Sequence, residues 1–384
     1  MITRKNSRRR PASSKKTPSK VIAKKAVGRQ VPRKAATMKA KPPVKAQPAV
    51  KARPAVKARP ALKAAAAASK PVKAGGSPAP AMGVATQAAL PDWRAFRASL
   101  LEIVRRTSAE LPHDVIRAIE SGRAGEQEGS NAAWAMEIIR ENIELAKDKS
   151  QPLCQDTGSI LFFVRAPRDF DEAAFRRAAE QAVAEATARG YLRQNSVDSL
   201  TGRNTGNNLG PGSPTIHLHQ WKKPITEIRL ILKGGGCENM GVQYSLPDSR
   251  LGADRNLVGV EKCLLDAVYQ AQGKGCGPGI LGVAIGGDRA TGYLHSKEQL
   301  LRPLDDTNPN RELADLELRV IEKANKLGIG PMGFGGSTTL LGCKIGALNR
   351  LPASYFVSVS YMCWAYRRQG ADVDPAGRIR RWLY

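Results

Sequence analysis

Three of the six cysteines stand where chemistry is built. Cys154 lies in Leu-Cys-Gln-Asp-Thr-Gly, beside three polar residues that a buried structural thiol does not need. Cys276 lies in Gly-Cys-Gly-Pro-Gly, a loop with exposed backbone that feeds an apolar run. Cys363 follows another apolar run and precedes Trp-Ala-Tyr-Arg-Arg. All three fall at the ends of expected elements. Thiolates brought together from distant loops suit a cluster iron or another thiophilic metal. Spacing alone, however, favours three unrelated buried thiols.

The other three cysteines read differently. Cys263 shares a helical register with Val260 and Ala267, and Cys343 sits in a strand-like Leu-Gly-Cys-Lys-Ile-Gly, so both are expected in the core. Cys237 follows a triple glycine and can approach the site without ligating. No C-x-x-C pair exists to form half a zinc finger, and the cysteines are too sparse for a secreted disulfide scaffold. Free thiols suit a reducing cytoplasm. His217 and His219 alternate along 215–221 and so share one strand face. A metal pair there competes with a solvated face. His113 and His295 stand alone and are expected on the surface.

The elements that must position these residues alternate in type. Asp92 looks like a helix cap, and Trp93, Phe96, Leu100, Ile103 and Val104 follow at helical spacing. Helices are expected over 131–147, 170–189, 256–272 and 311–327, and buried strands over 160–164, 228–232, 280–285 and 354–360. Helices and strands interleave, which predicts an α/β body. Glycines gather where the strands end, at 234–236, 275–279, 286–287 and 333–336. Several such clusters together point to a ligand floor of backbone amides, suited to an anionic substrate. None matches a P-loop or a dinucleotide fingerprint.

Charge divides the chain in two. The 384 residues carry a net charge of +27, yet residues 1–91 hold 23 Lys or Arg and no Asp or Glu. The remainder, with 38 basic and 34 acidic residues, is nearly neutral. Residues 47–64 repeat a Pro-Ala-Val-Lys-Ala unit every six residues, and prolines this dense block helix and sheet alike. Residues 1–88 are therefore expected to be a disordered basic arm, with 89–372 as the catalytic domain and 373–384 as a short tail. The arm has no aromatic residue for base stacking, so weak polyanion contact and a plain solvated tail remain its two readings. Its prolines argue against an amphipathic transit peptide, and no apolar stretch is long enough for a membrane span.

At this point the motifs resemble a known family. Cys154-Gln155-Asp156-Thr157-Gly158, Lys233-Gly234-Gly235-Gly236, Leu327-Gly328-Ile329-Gly330-Pro331-Met332-Gly333 and Cys363-Trp364-Ala365-Tyr366-Arg367-Arg368 are similar to those of the class I fumarase and L(+)-tartrate dehydratase family, in family order, from about residue 95 to 370. The resemblance implies a 4Fe–4S cluster held by Cys154, Cys276 and Cys363, with an open iron acting as Lewis acid in the hydration or dehydration of a small dicarboxylate. It also implies that Gln155 and Asp156 hydrogen-bond the substrate. Arg193 would grip a carboxylate, Gly236 would offer its backbone N–H, and Asn204 and Thr205 would lie near the site.

Two departures stand out. The family commonly has His where this chain has Leu351, and often Lys where it has Ser337. Cys237 replaces a frequent Ser. Single-chain relatives continue into a second domain that supplies the base. This chain stops at Tyr384, so it resembles the α subunit of a two-subunit hydro-lyase and is expected to need a β subunit in a hetero-oligomer. A reading of another class is a polyanion-binding protein built on an inactive enzyme body. The arm and the two lost polar residues favour that reading, and the intact cysteine triplet opposes it.

Overall fold

The structure, a computed structural model, describes residues 92–384. The expected arm over 1–88 lies outside the described residues. Asp92 caps the first helix, its carboxylate accepting the backbone N–H groups of Arg94 at 3.0 Å and Ala95 at 3.3 Å. In order, the elements are α1 (Trp93–Ala109), α2 (His113–Ala124), α3 (Asn131–Lys149), β1 (Ser159–Ala166), α4 (Glu172–Ala188), β2 (Thr215–Gln220) and β3 (Thr226–Lys233). Next come α5 (Gly235–Asn239), β4 (Val242–Ser245), α6 (Leu257–Ala271), β5 (Gly279–Ile285), α7 (Arg289–Gln299) and α8 (Arg311–Asn325). The chain closes with β6 (Leu340–Ala347), β7 (Phe356–Met362), β8 (Arg368–Val373) and β9 (Ile379–Trp382). The body is α/β, as the alternating patterns predict.

The strands form two mixed sheets. One has the order β2-β1-β3-β8-β9, with β1 and β2 parallel and the other pairs antiparallel. The other has the order β4-β7-β5-β6, with only β5 and β6 parallel. β1 shows why its run is continuously apolar: Ile160, Phe162 and Val164 enter one core while Leu161 and Phe163 enter another. The first of these cores lies under α1 and α4, where Phe96, Phe162 and Phe175 pack edge to face. A second core lies between α6, α8 and the four-stranded sheet. The third joins residues of both sheets, Leu161, Ile231, Ile280 and Met362, with α2 and α3, and it includes Cys237 and Cys363. That junction carries the candidate site.

Several elements have no counterpart in the sequence patterns. α2 starts at Pro112 without a side-chain cap, and its buried face includes the charged Asp114. β8 is buried at every position although it reads Arg-Gln-Gly-Ala-Asp-Val. Such burial depends on partners distant in sequence, so periodicity does not reveal it. Residues 379–382, placed in the tail by the sequence reading, form β9 and pair with β8. Among the described residues no helix is long and apolar enough to cross a membrane.

Candidate active site: three cysteines and a carboxylate where two sheets meet

The two sheets bring the three cysteine segments to one place. β5 and β7 run antiparallel with Ile280 opposite Met362, so Cys276, just before β5, and Cys363, just after β7, lie at the same sheet end. The Trp364 N–H donates to the Cys276 carbonyl at 3.4 Å, tying the two loops. Cys154 arrives from the other sheet, just before β1, where Ser159 pairs with Lys233. Gly158 is there of necessity: its φ is +76°, and a Cβ would stand 2.2 Å from the Lys233 carbonyl oxygen. This close approach brings the Cys-Gln-Asp-Thr-Gly and Lys-Gly-Gly-Gly segments together, and the Gly235 N–H donates to Asp156 Oδ2 at 2.6 Å. The glycines around Cys276 leave room for Tyr361, whose ring a Cβ on Gly275 would meet at 2.4 Å.

The thiols feel one another. Burial raises the Cys276 thiol pKa, and the charges of Cys237, Cys154 and Asp156 raise it further. A hydrogen bond to Cys237 and burial push Cys363 well up, with Cys154 adding to the effect and Arg367 opposing it. The same hydrogen bond pulls Cys237 down to about 7 against its burial, helped by Lys233 and Arg367. Mutual repulsion of this kind is what a shared cation relieves. All six cysteines are unpaired. Cys263 and Cys343 are core residues as expected, and burial pushes Cys263 up to about 12.

Beside the thiols lies a cavity of about 520 Å³, lined in part by Asp156, Asn195, Ser196, Asn208, Gly235 and Lys297. Asn195 Nδ2 donates to Asp156 Oδ1 at 2.5 Å, so both carboxylate oxygens are engaged. Arg193 is held next to Asp156 through its backbone. Thr157 Oγ1 donates to the Arg193 carbonyl at 2.8 Å and accepts its N–H at 3.0 Å. The Arg193 guanidinium makes no hydrogen bond or ion pair among the described residues and is exposed, as are Gln155 and Gly236. Asn204 and Thr205 are placed elsewhere: they line a neighbouring hollow with Asp198, Thr201 and Arg203. The Asn204 side chain is engaged by its own loop, through Gln194 and Gly206.

Sequence reasoning overlooked several residues here. Asn208 is buried, with φ at +61°, and its amide makes four bonds: to the N–H groups of Asn195 and Ser196, to Thr187 Oγ1 and to the Arg193 carbonyl. It organises the loop that carries Arg193. Glu238 bridges Lys233 at 3.0 Å and Lys297 at 2.8 Å, directly behind Cys237. Lys233 is fully buried, so this bridge supplies its counter-charge. Arg367 is 1% exposed, yet none of its three guanidinium nitrogens has a hydrogen-bond partner among the described residues.

The remaining expectations resolve by position. Ser337 lies at the cysteine end, with its N–H on Glu126 and its hydroxyl on the Gly125 carbonyl. Leu351 is 73% exposed and lies between β6 and β7, at the opposite end of the sheet from Cys276 and Cys363. His217 and His219 do share β2, but His217 stacks on Phe163, with ring centroids 5.0 Å apart. His295 is half-buried and paired with Glu298 at 2.8 Å, not the isolated surface residue expected. Among the described residues no three His, Cys, Asp or Glu side chains converge closely enough to hold a single metal ion.

Comparisons with known proteins agree on one group. The family model for fumarate hydratase (fumerase) matches residues 97–372. A putative class I fumarate hydratase of Geobacillus stearothermophilus is 53% identical over 290 residues, which is 74% of this chain and 56% of the relative. This chain therefore spans little more than half of that protein. A putative L(+)-tartrate dehydratase subunit alpha of Methanocaldococcus jannaschii is 33% identical over 70% of this chain and 94% of its own length. The L(+)-tartrate dehydratase subunit alpha of Escherichia coli K12 is 33% identical over 68% of this chain and 85% of its own.

Proposed function

The chain belongs to the fumarate hydratase (fumerase) family, and from that premise we propose that its residues 89–372 form the catalytic domain of a 4Fe–4S hydro-lyase that hydrates fumarate to malate. One observation carries the reading. Three cysteine loops from two sheets meet beside a polar cavity that contains a fully hydrogen-bonded aspartate. The residues fit a cluster. Cys154 raises the pKa of both Cys276 and Cys363, so the three segments lie within electrostatic reach of Cys154, and a cluster takes its thiolates from separate loops in this way. The buried, unpartnered guanidinium of Arg367, four residues after Cys363, fits a group that is anionic as a whole.

Cys154, Cys276 and Cys363 would hold the cluster, whose open iron supplies Lewis acidity toward the substrate hydroxyl and its carboxylate. The chain's own residues bind and orient. Arg193 offers an unengaged guanidinium fork to a carboxylate. Gln155 and Gly236 are both exposed and each adjoins in sequence a residue that lines the cavity, Asp156 and Gly235. Asp156 accepts from Gly235 and Asn195, which sets it to orient the substrate rather than to abstract a proton. The Lys297 amine in the cavity is held by Glu238. Hydration needs a positioned acid–base group, and a β subunit would supply it. Two relatives carry subunit alpha in their names, which supports that partnership. Unpaired cysteines throughout suit a reducing cytoplasm. L(+)-tartrate is the second candidate substrate, on the names of those same relatives.

The test is anaerobic reconstitution of the full chain with ferrous iron and sulfide. Iron and sulfide uptake is measured first, then fumarate hydration and tartrate dehydration with and without the β subunit. The expected result is cluster uptake by the chain alone and turnover of fumarate only with the partner. Robust turnover by the chain alone would overturn the two-subunit reading, and turnover of tartrate alone would reassign the substrate.

A further inference from the structure

Two consecutive buried arginines follow Cys363, and only the second has an acidic partner. Arg368 pairs through Nη2 with Asp114, and its guanidinium lies 4.2 Å from the centre of the Tyr384 ring, although its Nε and Nη1 have no hydrogen-bond partner among the described residues. Arg367 is equally buried, but its Nε, Nη1 and Nη2 have no partner among the described residues. A buried guanidinium without an anion is strongly unfavourable, so its retention calls for a bound negative group. The backbone sets where it faces. Its carbonyl accepts the Leu232 N–H at 3.0 Å, which seats it under the end of β3. A Cβ built on Gly234 would stand 3.8 Å from Arg367 Nη2 and 3.0 Å from Asp156 Oδ2. Arg367 does not line the cavity that holds Asp156 and Asn195, and its charge lowers the pKa of the Cys237 and Cys363 thiols, which places it within electrostatic reach of them.

We propose that Arg367 is the positioning cation of the cysteine nest, donating its N–H groups to the sulfur atoms of the bound cluster and offsetting the charge of a group held by three thiolates. This rests on the cluster reading above. Its chemistry is that of a charge-assisted donor to a buried anion. Hydrogen bonds and charge near the sulfurs are among the levers that set such a cluster's potential. A purely structural arginine would stabilise the empty protein. This one should destabilise it and stabilise only the loaded form.

The experiment uses the full chain with Arg367→Met and Arg367→Lys. Three quantities are read: thermal unfolding of the metal-free protein, the rate at which a chelator strips iron after reconstitution, and the midpoint potential of the cluster. Arg367→Met is expected to unfold at or above the temperature of the unmodified metal-free chain. It should lose iron at least tenfold faster and show a more negative potential, because a nearby positive charge is gone. Arg367→Lys keeps the charge without the planar fork and should fall between the two. Should Arg367→Met fail to fold, Arg367→Lys decides, and iron release as slow as in the unmodified chain overturns the proposal. Unchanged iron retention and potential in Arg367→Met, with or without loss of dicarboxylate binding, also overturn it. Failure of the unmodified chain to take up iron overturns the cluster reading itself and this assignment with it.

Discussion

Thr157 and Arg193, 36 positions apart, hold each other by two hydrogen bonds through a single hydroxyl, at 2.8 and 3.0 Å. Thr157 is buried and the Arg193 side chain is not, so the threonine fixes the backbone from which a free guanidinium projects. Thr157→Val should cost about 1–3 kcal/mol of stability, since it leaves buried backbone groups unpaired. It should also raise KM for the dicarboxylate while leaving iron content unchanged. Arg193→Ala should separate the two effects. No contact of its side chain supports the fold, so urea unfolding of the metal-free chain should not change, while dicarboxylate affinity should fall by about 1.5–3 kcal/mol. Equal loss of stability in both variants would show that Arg193 is structural.

Three cysteines should behave differently from the core thiol Cys263. Cys154→Ser, Cys276→Ser and Cys363→Ser should each abolish cluster uptake, measured as iron and sulfide bound per chain. Cys263→Ala should retain it, because that thiol is core and burial keeps it protonated. Its cost should be confined to stability, about 1 kcal/mol for a small cavity. Comparable iron loss from Cys263→Ala would refute the ligand assignment.

Glu238 should make the protein sensitive to acid. Burial alone would raise its pKa, but Lys233 and Lys297 outweigh burial and hold it below its ordinary value of 4.5. A carboxylate depressed in this way contributes stability that is fully present above its unfolded pKa and is lost as pH falls through the folded one. Denaturant midpoints should therefore hold steady from pH 7 to about 5 and decline below about 4.5. Glu238→Gln should flatten that decline. At pH 7 it should cost about 3–5 kcal/mol, because Lys233 is left buried without its counter-charge. A variant with wild-type stability and an unchanged acid slope would show that the bridge contributes nothing.

The basic arm should be dispensable for chemistry. Every candidate site residue lies between Cys154 and Arg367, and removing residues 1–88 takes away 23 positive charges and no negative one. A chain beginning at Ala89 should keep its cluster uptake and its partner-dependent turnover. Retention on a polyanion column, where the full chain shows it, should disappear with the arm and weaken steeply as salt rises. A large fall in turnover would assign the arm a role in the reaction.

What the sequence determined by itself is local or carried by short strings. Asp92 and the apolar spacing after it announce α1, and the Cys-Gln-Asp-Thr-Gly and Lys-Gly-Gly-Gly strings mark two segments that the fold joins at Gly158 and Gly235. The three ligand candidates were legible because each sits beside glycines or polar residues at an element end. Tertiary structure alone decided which polar groups find partners. Nothing within the string Arg367-Arg368 distinguishes its two members. Arg368 pairs with Asp114, 254 positions away, while all three guanidinium nitrogens of Arg367 are left without a partner among the described residues. Asn208 reads as an ordinary loop residue until the fold sets it between Thr187 and Arg193. β8 reads as a polar stretch until β3 and β9 enclose it. An apolar side chain needs only a face, which periodicity provides. A buried polar side chain needs a particular partner at hydrogen-bond distance, and that partner is supplied by chain folded in from far away.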